Sequence, residues 1–325
     1  MALCALGMAA LAWVNEMILA LNLNCSLDKI YTVPSLEYGG VVRAEATYNT
    51  AGGKGLHVAN ICRIMHEDYL ASGFIGGHTG ELIKDILDEK GYNYDFQGIA
   101  EETRSCINIG TPDGKQTEVL EGGPVVSNEE KLCFLAKYAD FLSKADIVVG
   151  SGSLPKGLEK NFYGELIEMA RSKGRKFLLD ASGETLENSL PYKPFMIKPN
   201  KDEIEALTGR KIRTLADGIR EAMNFADMDI KLPIVSLGRD GAAACWQGQA
   251  YYVKPPVFKA VNAVGSGDSF VAGIAIGLQR KYPIEEVLRL AAACGTANVL
   301  EQESGFVDPA KVENIMAKTS VEKVG

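Results

Sequence analysis

A chain of 325 residues with 46% apolar and 23% charged side chains is typical of a folded globular protein, which excludes the disordered and disulfide-scaffold classes. The formal net charge of −8 argues against a nucleic acid or a membrane as a partner. Both have anionic surfaces, which a protein binds with a basic surface of its own. An anionic ligand must therefore be bound by local positive groups.

Cysteine and histidine usage argues against a metal centre built from these residues. The seven cysteines show no C-x-x-C spacing and predict neither a zinc knuckle nor a disulfide framework, so we expect a reducing, cytoplasmic compartment. The three histidines, His57, His66 and His78, are not spaced as a ligand pair. Magnesium that arrives with a nucleotide is compatible with this pattern.

The first sixteen residues form an apolar stretch that differs in character from the rest of the chain. They lack the basic start of a signal peptide, end in Asn15 and Glu16, and are too short to span a bilayer. The strand-like run ILALNL begins directly after Met17. Residues 1–16 are therefore interpreted as an N-terminal extension that is not part of the fold, with a signal peptide as the alternative.

From Met17 onwards, short apolar β-rich runs alternate with longer amphipathic runs, which is typical of βαβ units on a mostly parallel sheet. The sequence predicts strands at 18–22, 69–74, 146–150, 176–180, 195–198 and 233–237. It predicts helices at 80–90, 129–142, 160–173, 201–208 and 216–226. Sheets of this kind bind ligands at the carboxyl ends of their strands.

Two segments break this alternation. Residues 30–49 and 104–121 show period-two patterning, and the second contains the turn PDG. They are interpreted as strands of a small separate sheet that forms a lid or a dimer contact, with ordinary surface hairpins as the alternative. A later turn, RDG at 239–241, predicts an antiparallel hairpin. The predicted organisation is one domain over 17–318 with this lid, followed by a C-terminal tail at 319–325.

The most informative segment, NAVGSGDSFVAG at 262–273, is a glycine-rich turn that leads into an apolar helix. Gly265, Ser266 and Gly267 offer backbone N–H groups that, with the helix dipole, would bind the charge on a transferred phosphoryl group. Asp268 follows directly, either as the N-cap of the helix or as the base for a sugar hydroxyl. A carboxylate is an adequate base because a loose phosphoryl-transfer transition state needs the proton removed only late.

Other nucleotide-binding motifs are absent from the sequence. There is no G-x-x-x-x-G-K-[ST] segment, so a P-loop is not predicted, and GSG at 265–267 lacks the third glycine of a dinucleotide fingerprint. The catalytic-loop and D-F-G motifs of protein kinases are missing as well. A nucleotide must be bound in another way.

The segment at 262–273 resembles the C-terminal signature of the PfkB/ribokinase family of carbohydrate kinases, and AGGKG at 51–55 is similar to its N-terminal glycine motif. The resemblance extends from Met17 to about Pro309 and includes NCSLD at 24–28, TR at 103–104, SGSLP at 151–155, DASG at 180–183, KPN at 198–200 with Glu203, and VSLG at 235–238. The first glycine motif, NxxLD and DxSG most resemble the branch of 1-phosphofructokinase and tagatose-6-phosphate kinase. The resemblance implies a ribokinase-like α/β fold with a β-sheet lid, ATP and Mg²⁺ as cofactors, and a homodimer formed through the lid.

The resemblance also implies roles for individual residues. The residues that match the family's sugar-binding positions are Asp28, Gly52, Gly53, Lys54, His57 and Arg104. Among them, Lys54 and Arg104 would clamp the phosphate that the sugar already carries. The residues that match its nucleotide-binding positions are Lys198, Asn200, Ser236, Gly238, Gly241 and Asn298, and Asn200 and Glu203 would hold Mg²⁺ through water.

Five of these residues have a purely structural alternative. Lys54 and Arg104 could be solvated surface charges. Asp28 could be a solvated turn residue, Asn200 could be the N-cap of the helix at 201–208, and Asn298 could be a buried polar residue of its own helix. The residues alone leave these alternatives open.

The sequence departs from the family pattern near the expected sugar site. Relatives commonly read GGKGxNVAR, whereas this chain has His57 for the asparagine and Asn60 for the arginine, and Cys106 replaces the asparagine of TRxN. These changes leave the identity of the sugar open. The leading hypothesis is ATP-dependent phosphorylation of a ketohexose monophosphate, fructose 1-phosphate or tagatose 6-phosphate, to the 1,6-bisphosphate. The alternatives are a kinase of an unphosphorylated sugar or nucleoside, and a non-catalytic sugar-phosphate-binding module.

Overall fold

The computed structural model describes residues 16–324, and the predicted extension at 1–16 lies, except for Glu16, outside the described residues. The strands are β1 Met17–Asn22, β2 Ser26–Thr32, β3 Ala46–Gly52, β4 Tyr69–Gly76, β5 Gln97–Ile99, β6 Arg104–Gly110, β7 Gln116–Leu120, β8 Ala145–Ser151, β9 Lys176–Asp180, β10 Met196–Ile197, β11 Leu232–Ser236, β12 Ala242–Trp246, β13 Gln249–Lys254 and β14 Ser320–Val324. The helices are α1 Lys54–Ile64, α2 Gly77–Glu89, α3 Asn128–Phe141, α4 Phe162–Ser172, α5 Gly183–Ser189, α6 Lys201–Thr208, α7 Leu215–Asp227, α8 Ser266–Gln279, α9 Ile284–Val299 and α10 Pro309–Lys318. All predicted strands and helices form, and α6 has the predicted bounds.

The main sheet is mostly parallel, as predicted. Between residues 16 and 324 its strand order is β14-β13-β12-β11-β10-β9-β8-β1-β4-β5. The strands from β11 to β5 pair in parallel, while β11, β12, β13 and β14 pair antiparallel at one edge. The hairpin between β11 and β12 turns at residues 239–241, where the sequence predicts it.

Helices cover both faces of this sheet, so the strands at its centre are buried on both sides. In β1, Ile18 and Ala20 belong to the core beneath α1, α8 and α9, whereas Leu19 and Leu21 belong to the core beneath α3, α4 and α7. The alternation of side chains along one strand thus supplies both hydrophobic cores.

The four strands β3-β2-β6-β7 form a separate small sheet, which we call the lid. In it β2 pairs antiparallel with β3 and parallel with β6, and β6 forms a hairpin with β7. Both segments with period-two patterning therefore contribute strands to one sheet. The segment at 33–45 does not: it is irregular and mostly exposed.

The end of the chain departs from the predicted organisation. Residues 320–324, assigned from the sequence to a tail, form β14 and pair antiparallel with β13 over five residues. The tail assignment is wrong, because these residues pair with β13 and form the edge strand of the sheet. The two exposed residues of β14, Glu322 and Lys323, are charged, as is common at a sheet edge. None of the helices within residues 16–324 has the length and apolarity needed to cross a membrane.

Candidate active site

A cavity of about 1130 Å³ lies at the carboxyl ends of β1, β8 and β9, and the lid borders it. The last residues of these three strands, Asn22, Ser151 and Asp180, all line it. Most residues that the sequence assigns to a site also line this one cavity: Asp28, Gly53, Lys54, His57, Arg104, Lys198, Asn200, Glu203, Ser236, Gly238, Gly241, Gly265, Ser266, Gly267 and Asp268. Gly52 and Asn298 do not line it.

The glycine-rich turn ends at Gly265, which is the N-cap of α8 and has a left-handed backbone (φ 82°) that favours glycine. Asp268 is the third residue of the helix, so the N-cap alternative for Asp268 is wrong. The N–H of Ser266 donates to the carbonyl of Ala263 at 3.3 Å, which engages one amide of the turn. The N–H groups of the next two positions have no carbonyl four residues earlier within the helix to bond.

Asp268 is almost buried, and its carboxylate contacts a histidine from another helix. Oδ2 of Asp268 lies 2.7 Å from Nδ1 of His57 on α1. Burial alone would lower the pKa of His57, but the hydrogen bond and charge of Asp268, with the charges of Asp28 and Glu303, outweigh it and hold this pKa above its usual value. The sequence predicts His57 as a sugar ligand, whereas its Nδ1 is engaged with the candidate base.

Asp28 extends from β2 into the cavity. Ser26 donates a hydrogen bond to its Oδ1 at 2.6 Å, and burial, only partly offset by this bond, raises the pKa of Asp28. A Cβ on Gly52 would lie 2.2 Å from the carboxyl atoms of Asp28, so the carboxylate has this position only because residue 52 has no side chain. Asp28 lies within β2, is half-buried and accepts a hydrogen bond from Ser26, so the solvated-turn alternative does not describe it.

A second buried carboxylate, Asp180 at the end of β9, lies between two lysines. Its Oδ1 is 3.2 Å from Nζ of Lys198, and its Oδ2 is 3.6 Å from Nζ of Lys54. Burial alone would raise the pKa of Asp180, but the charges of Lys198 and Lys54 outweigh it and lower the pKa. In turn Asp180, followed by Asp268 and Glu203, raises the pKa of Lys54.

Asp180 is a site residue that sequence reasoning missed, although DASG at 180–183 is recognisable as a motif. Its position as the last residue of a buried parallel strand is the available signal. Lys198 also lies next to the start of α8, because a Cβ on Gly267 would be 3.3 Å from its Nζ. An ammonium group is thus placed beside the first turn of α8.

Arg104 opens β6, and its guanidinium joins the lid to the main sheet. Nε and one terminal nitrogen donate to the carbonyl of Asn24, and the other terminal nitrogen donates to the carbonyl of Glu121. These bonds fix the plane of the guanidinium at the cavity wall. They leave two of its five N–H donors for a ligand.

Asn200 and Glu203 form a capping box at the start of α6, as the structural alternative for Asn200 predicts. Asn200 Oδ1 accepts from the N–H of Glu203, and Glu203 Oε2 accepts from the N–H of Asn200, both at 2.9 Å. Within residues 16–324 no cluster of three or more His, Cys, Asp or Glu side chains could hold a metal ion. Asn200 and Glu203 offer too few oxygen ligands to hold Mg²⁺ alone. They fit only a Mg²⁺ that keeps its waters and is bound chiefly by the phosphates of a nucleotide.

The remaining predicted nucleotide-binding residues fall into two groups. Ser236 and Gly238 lie at the end of β11 and Gly241 closes the hairpin, and all three line the cavity. Asn298 is fully buried, and its Nδ2 donates to the carbonyls of Glu303 and Phe306 at 3.3 Å. The buried-polar alternative therefore describes Asn298.

The cavity is also lined by two loops that sequence analysis did not assign to a site. The segment at 255–260 contributes an apolar wall that includes Pro255, Val257 and Phe258, and a surface of this kind suits the face of a nucleobase. The segment at 301–306, which we call the 301–306 loop, borders the glycine-rich turn. Neither loop has a periodic pattern from which its position could be predicted.

Comparison with known proteins identifies the class of protein. The chain belongs to the pfkB family of carbohydrate kinases, whose model matches residues 21–311. It is therefore a sugar kinase, a phosphotransferase with an alcohol group as acceptor, and ATP is its phosphoryl donor.

Individual relatives agree with this assignment over nearly the whole chain. A tagatose-6-phosphate kinase of Staphylococcus epidermidis is 39% identical over 311 residues, which cover 95% of this chain and 100% of the relative. The Escherichia coli phosphofructokinase-2 in complex with fructose-6-phosphate has a TM-score of 0.85 at 27% identity and covers 93% of this chain and 98% of its own. The tetrameric inhibited form of that enzyme has a TM-score of 0.84 with the same identity and coverage. The predicted ribokinase-like fold with a lid is confirmed.

The contact between Gly52 and Asp28 generates a testable prediction. We expect Gly52→Ala to lower kcat/KM for the sugar substrate by about 10²-fold, because the new Cβ displaces the Asp28 carboxylate from its position. The matched control is Gly122→Ala, which lies outside the cavity lining and whose new Cβ would meet only side-chain atoms of Lys156, at 3.4 Å and beyond. Steady-state kinetics of both variants, with thermal unfolding to verify folding, test the role. Equal activity of the two variants would contradict it.

Proposed function

We propose that this sugar kinase phosphorylates a ketohexose monophosphate, tagatose 6-phosphate in the first place, on the hydroxyl of carbon 1 to give the 1,6-bisphosphate. The identity with a curated tagatose-6-phosphate kinase, 39% over 95% of the chain, supports this substrate class. The single observation that carries the mechanism is that Asp268, Asp28 and Lys54 border one cavity together with the glycine-rich turn.

In the proposed reaction the sugar hydroxyl oxygen bonds to the γ-phosphorus of ATP as the bond from that phosphorus to the β,γ-bridging oxygen breaks. ADP leaves with the electrons of the broken bond, and the hydroxyl proton passes to Asp268 and then to water. The buried position of Asp268 supports this role, because a carboxylate that faces an alcohol away from bulk water keeps its geometry. Asp28 orients the sugar by accepting hydrogen bonds from its hydroxyls.

Charge on the migrating phosphoryl group would be stabilised at the first turn of α8. The residues of that turn line the cavity at the positive end of the helix dipole, and Nζ of Lys198 lies beside Gly267. The resemblance implies that Lys54 clamps the sugar's own phosphate, but Lys54 shares Asp180 with Lys198, so we instead assign its ammonium to the migrating phosphoryl group. Mg²⁺, when bound with ATP near Asn200 and Glu203, would supply further positive charge to the phosphates.

Arg104 is the proposed clamp for the phosphate that the sugar already carries. It lies on the lid, where it pairs with Ser26 of β2. Asp28 follows two residues later on the same strand. Its guanidinium plane is fixed by two backbone carbonyls, which preorganises its remaining donors for phosphate oxygens. Arg104 thus contacts the substrate from the lid, whereas Lys54 and Lys198 act at the reacting end.

The role of Asp268 is tested by Asp268→Asn. We expect kcat to fall about 10²- to 10⁴-fold, because the amide cannot accept the hydroxyl proton. ADP release is measured with tagatose 6-phosphate, fructose 6-phosphate, fructose 1-phosphate and the corresponding free sugars. The control is Asp85→Asn, an exposed residue of α2 outside the cavity. Undiminished turnover by Asp268→Asn would reject the base, and equal rates on free and phosphorylated sugars would reject the substrate class.

The two proposed phosphate contacts are separated by a pair of substitutions. We expect Arg104→Gln to raise KM for the sugar phosphate about tenfold to a hundredfold with a smaller effect on kcat, because the lost contact is equally present before and during transfer. Lys54→Met should instead lower kcat about 10²-fold, since its charge acts on the reacting group. Lys115→Gln, in the exposed turn between β6 and β7, is the control. A kinase of unphosphorylated sugars would keep its KM in Arg104→Gln.

We also propose a homodimer through the lid. Large apolar side chains are exposed there, including Tyr48 at 52% and Val119 at 55% of their surface, and exposed strands tend to pair with another chain. We expect light scattering to give twice the mass of one chain, and Val119→Asp to halve it. Leu132→Asp, equally exposed at 56% on α3, is the matched control. A monomeric mass for the unaltered protein would remove the proposal.

A further inference from the structure

The contact between His57 and Asp268 joins two positions that the sequence treats separately. An ionised carboxylate only accepts hydrogen bonds, so at 2.7 Å the proton must be on Nδ1 of His57. With the imidazole neutral, Nδ1–H donates to Asp268 and Nε2 carries no proton. With the imidazole charged, the same contact becomes an ion pair. Nδ1 can donate to the carboxylate in both states, but only the charged imidazole places a positive charge beside it.

The ring of His57 is itself held in place by the 301–306 loop. A Cβ on Gly305 would lie 2.6 Å from Cβ, Cγ and Cδ2 of His57, so the ring packs directly on the backbone of Gly305. The carbonyl of Gly305 accepts a hydrogen bond from Nδ2 of Asn60, one turn further along α1, at 2.9 Å. The two departures from the family pattern on this helix, His57 and Asn60, thus contact the same glycine.

The 301–306 loop also contacts the glycine-rich turn. A Cβ on Gly265 would lie 2.6 Å from the backbone nitrogen of Gly305. Asn262 donates to the carbonyl of Gln302 and to Oγ of Ser304 at 3.0 and 3.1 Å. One loop therefore fixes both the N-terminus of α8 and the ring that contacts Asp268.

We propose that His57 is a positioning residue for Asp268: its Nδ1–H orients the carboxylate toward the acceptor hydroxyl, and the protonation of its imidazole sets the acid limit of turnover. This inference rests on the proposed role of Asp268 as the base. The Asp268 oxygen that His57 does not contact, Oδ1, is the one left for the hydroxyl. A protonated imidazole places a full positive charge beside the carboxylate and weakens it as a proton acceptor.

The charged groups around His57 determine which protonation state prevails. Asp268 on α8, Asp28 on β2 and Glu303 in the 301–306 loop all face it with negative charge, and Lys90 on α2 pairs with Glu303 at 2.8 Å. Together the three carboxylates outweigh burial and hold the pKa of His57 above its usual value. The change of charge therefore falls at a higher pH than for an unperturbed imidazole.

Two substitutions at position 57 separate positioning from direct sugar binding. His57→Asn keeps an N–H donor near the position of Nδ1 without a titratable charge, and it is the residue that the family pattern has here. His57→Leu removes the donor. We expect His57→Asn to retain kcat at pH 8 within about fivefold and His57→Leu to lose about 10²-fold, both with little change in KM for the sugar phosphate. A large change in KM with kcat retained would overturn the inference in favour of direct sugar binding.

The pH profile supplies a readout that a merely structural role would not move. We expect the acid limb of kcat/KM of the unaltered enzyme to include an inflection that disappears in His57→Asn. The substrate phosphates ionise identically in both assays, so the difference between the two profiles belongs to His57. Superimposable profiles would overturn the inference.

Nitrogen NMR of the imidazoles tests the contact without reference to turnover. The chain has three histidines, and His66 and His78 are exposed and serve as internal references. We expect the pKa of His57 to fall in Asp268→Asn, because burial then acts against the charged form with less opposition. An unchanged pKa would overturn the inference. A shifted pKa together with full turnover by Asp268→Asn would instead reject the base and leave the contact standing.

Discussion

Two carboxylates lie almost fully buried at the carboxyl ends of the main sheet, and a buried charge is tolerated only with a partner close by. Asp180 has two ammonium groups within 4 Å, and Asp268 has an imidazole nitrogen. These partners come from α1 and from the segment between β10 and α6, so the charges couple elements far apart in the chain. The geometry of the candidate site depends on this need for pairing.

The same requirement gives the cavity two ends with different chemistry. On one side the glycine-rich turn, Lys54 and Lys198 collect positive potential, which suits phosphate groups of a nucleotide. On the other side Arg104 and Asp28 extend from the lid, one for an anion and one for hydroxyl groups. With a net charge of −8 the protein as a whole repels anions, so these local groups carry the recognition.

Much of the fold could be predicted because each element carries its own signal. The helix at 201–208 forms with the predicted bounds because Asn200 and Glu203 have the spacing of a capping box. The strand β14 could not be predicted because its pairing with β13 joins residues about 70 apart in the chain. Its short, partly polar sequence is also compatible with an unstructured tail. Local patterns do not contain such pairings.

The candidate site shows the same division. Asp28, Lys54 and Asp268 can be found from the sequence because each belongs to a recognisable motif, and they border one cavity. Asn298 is predicted to bind the nucleotide, yet it bonds the 301–306 loop, since an asparagine in an apolar helix does not reveal which neighbour satisfies it. The engagement of His57 with Asp268 spans 211 residues and could not be inferred from either motif alone.

Gly305 has a consequence for how this site could change over evolutionary time. Its bare backbone is in contact with the imidazole at position 57, and its carbonyl is bonded to the amide at position 60. A lineage that exchanged the imidazole for a smaller group would open a void above residue 305 and remove the steric clash there, while the left-handed backbone of that residue (φ 65°) would still favour glycine. The reverse exchange could occur only where that glycine was already in place. The order in which the three positions mutate is therefore constrained, and intermediates with a side chain at 305 are closed to lineages that keep the histidine.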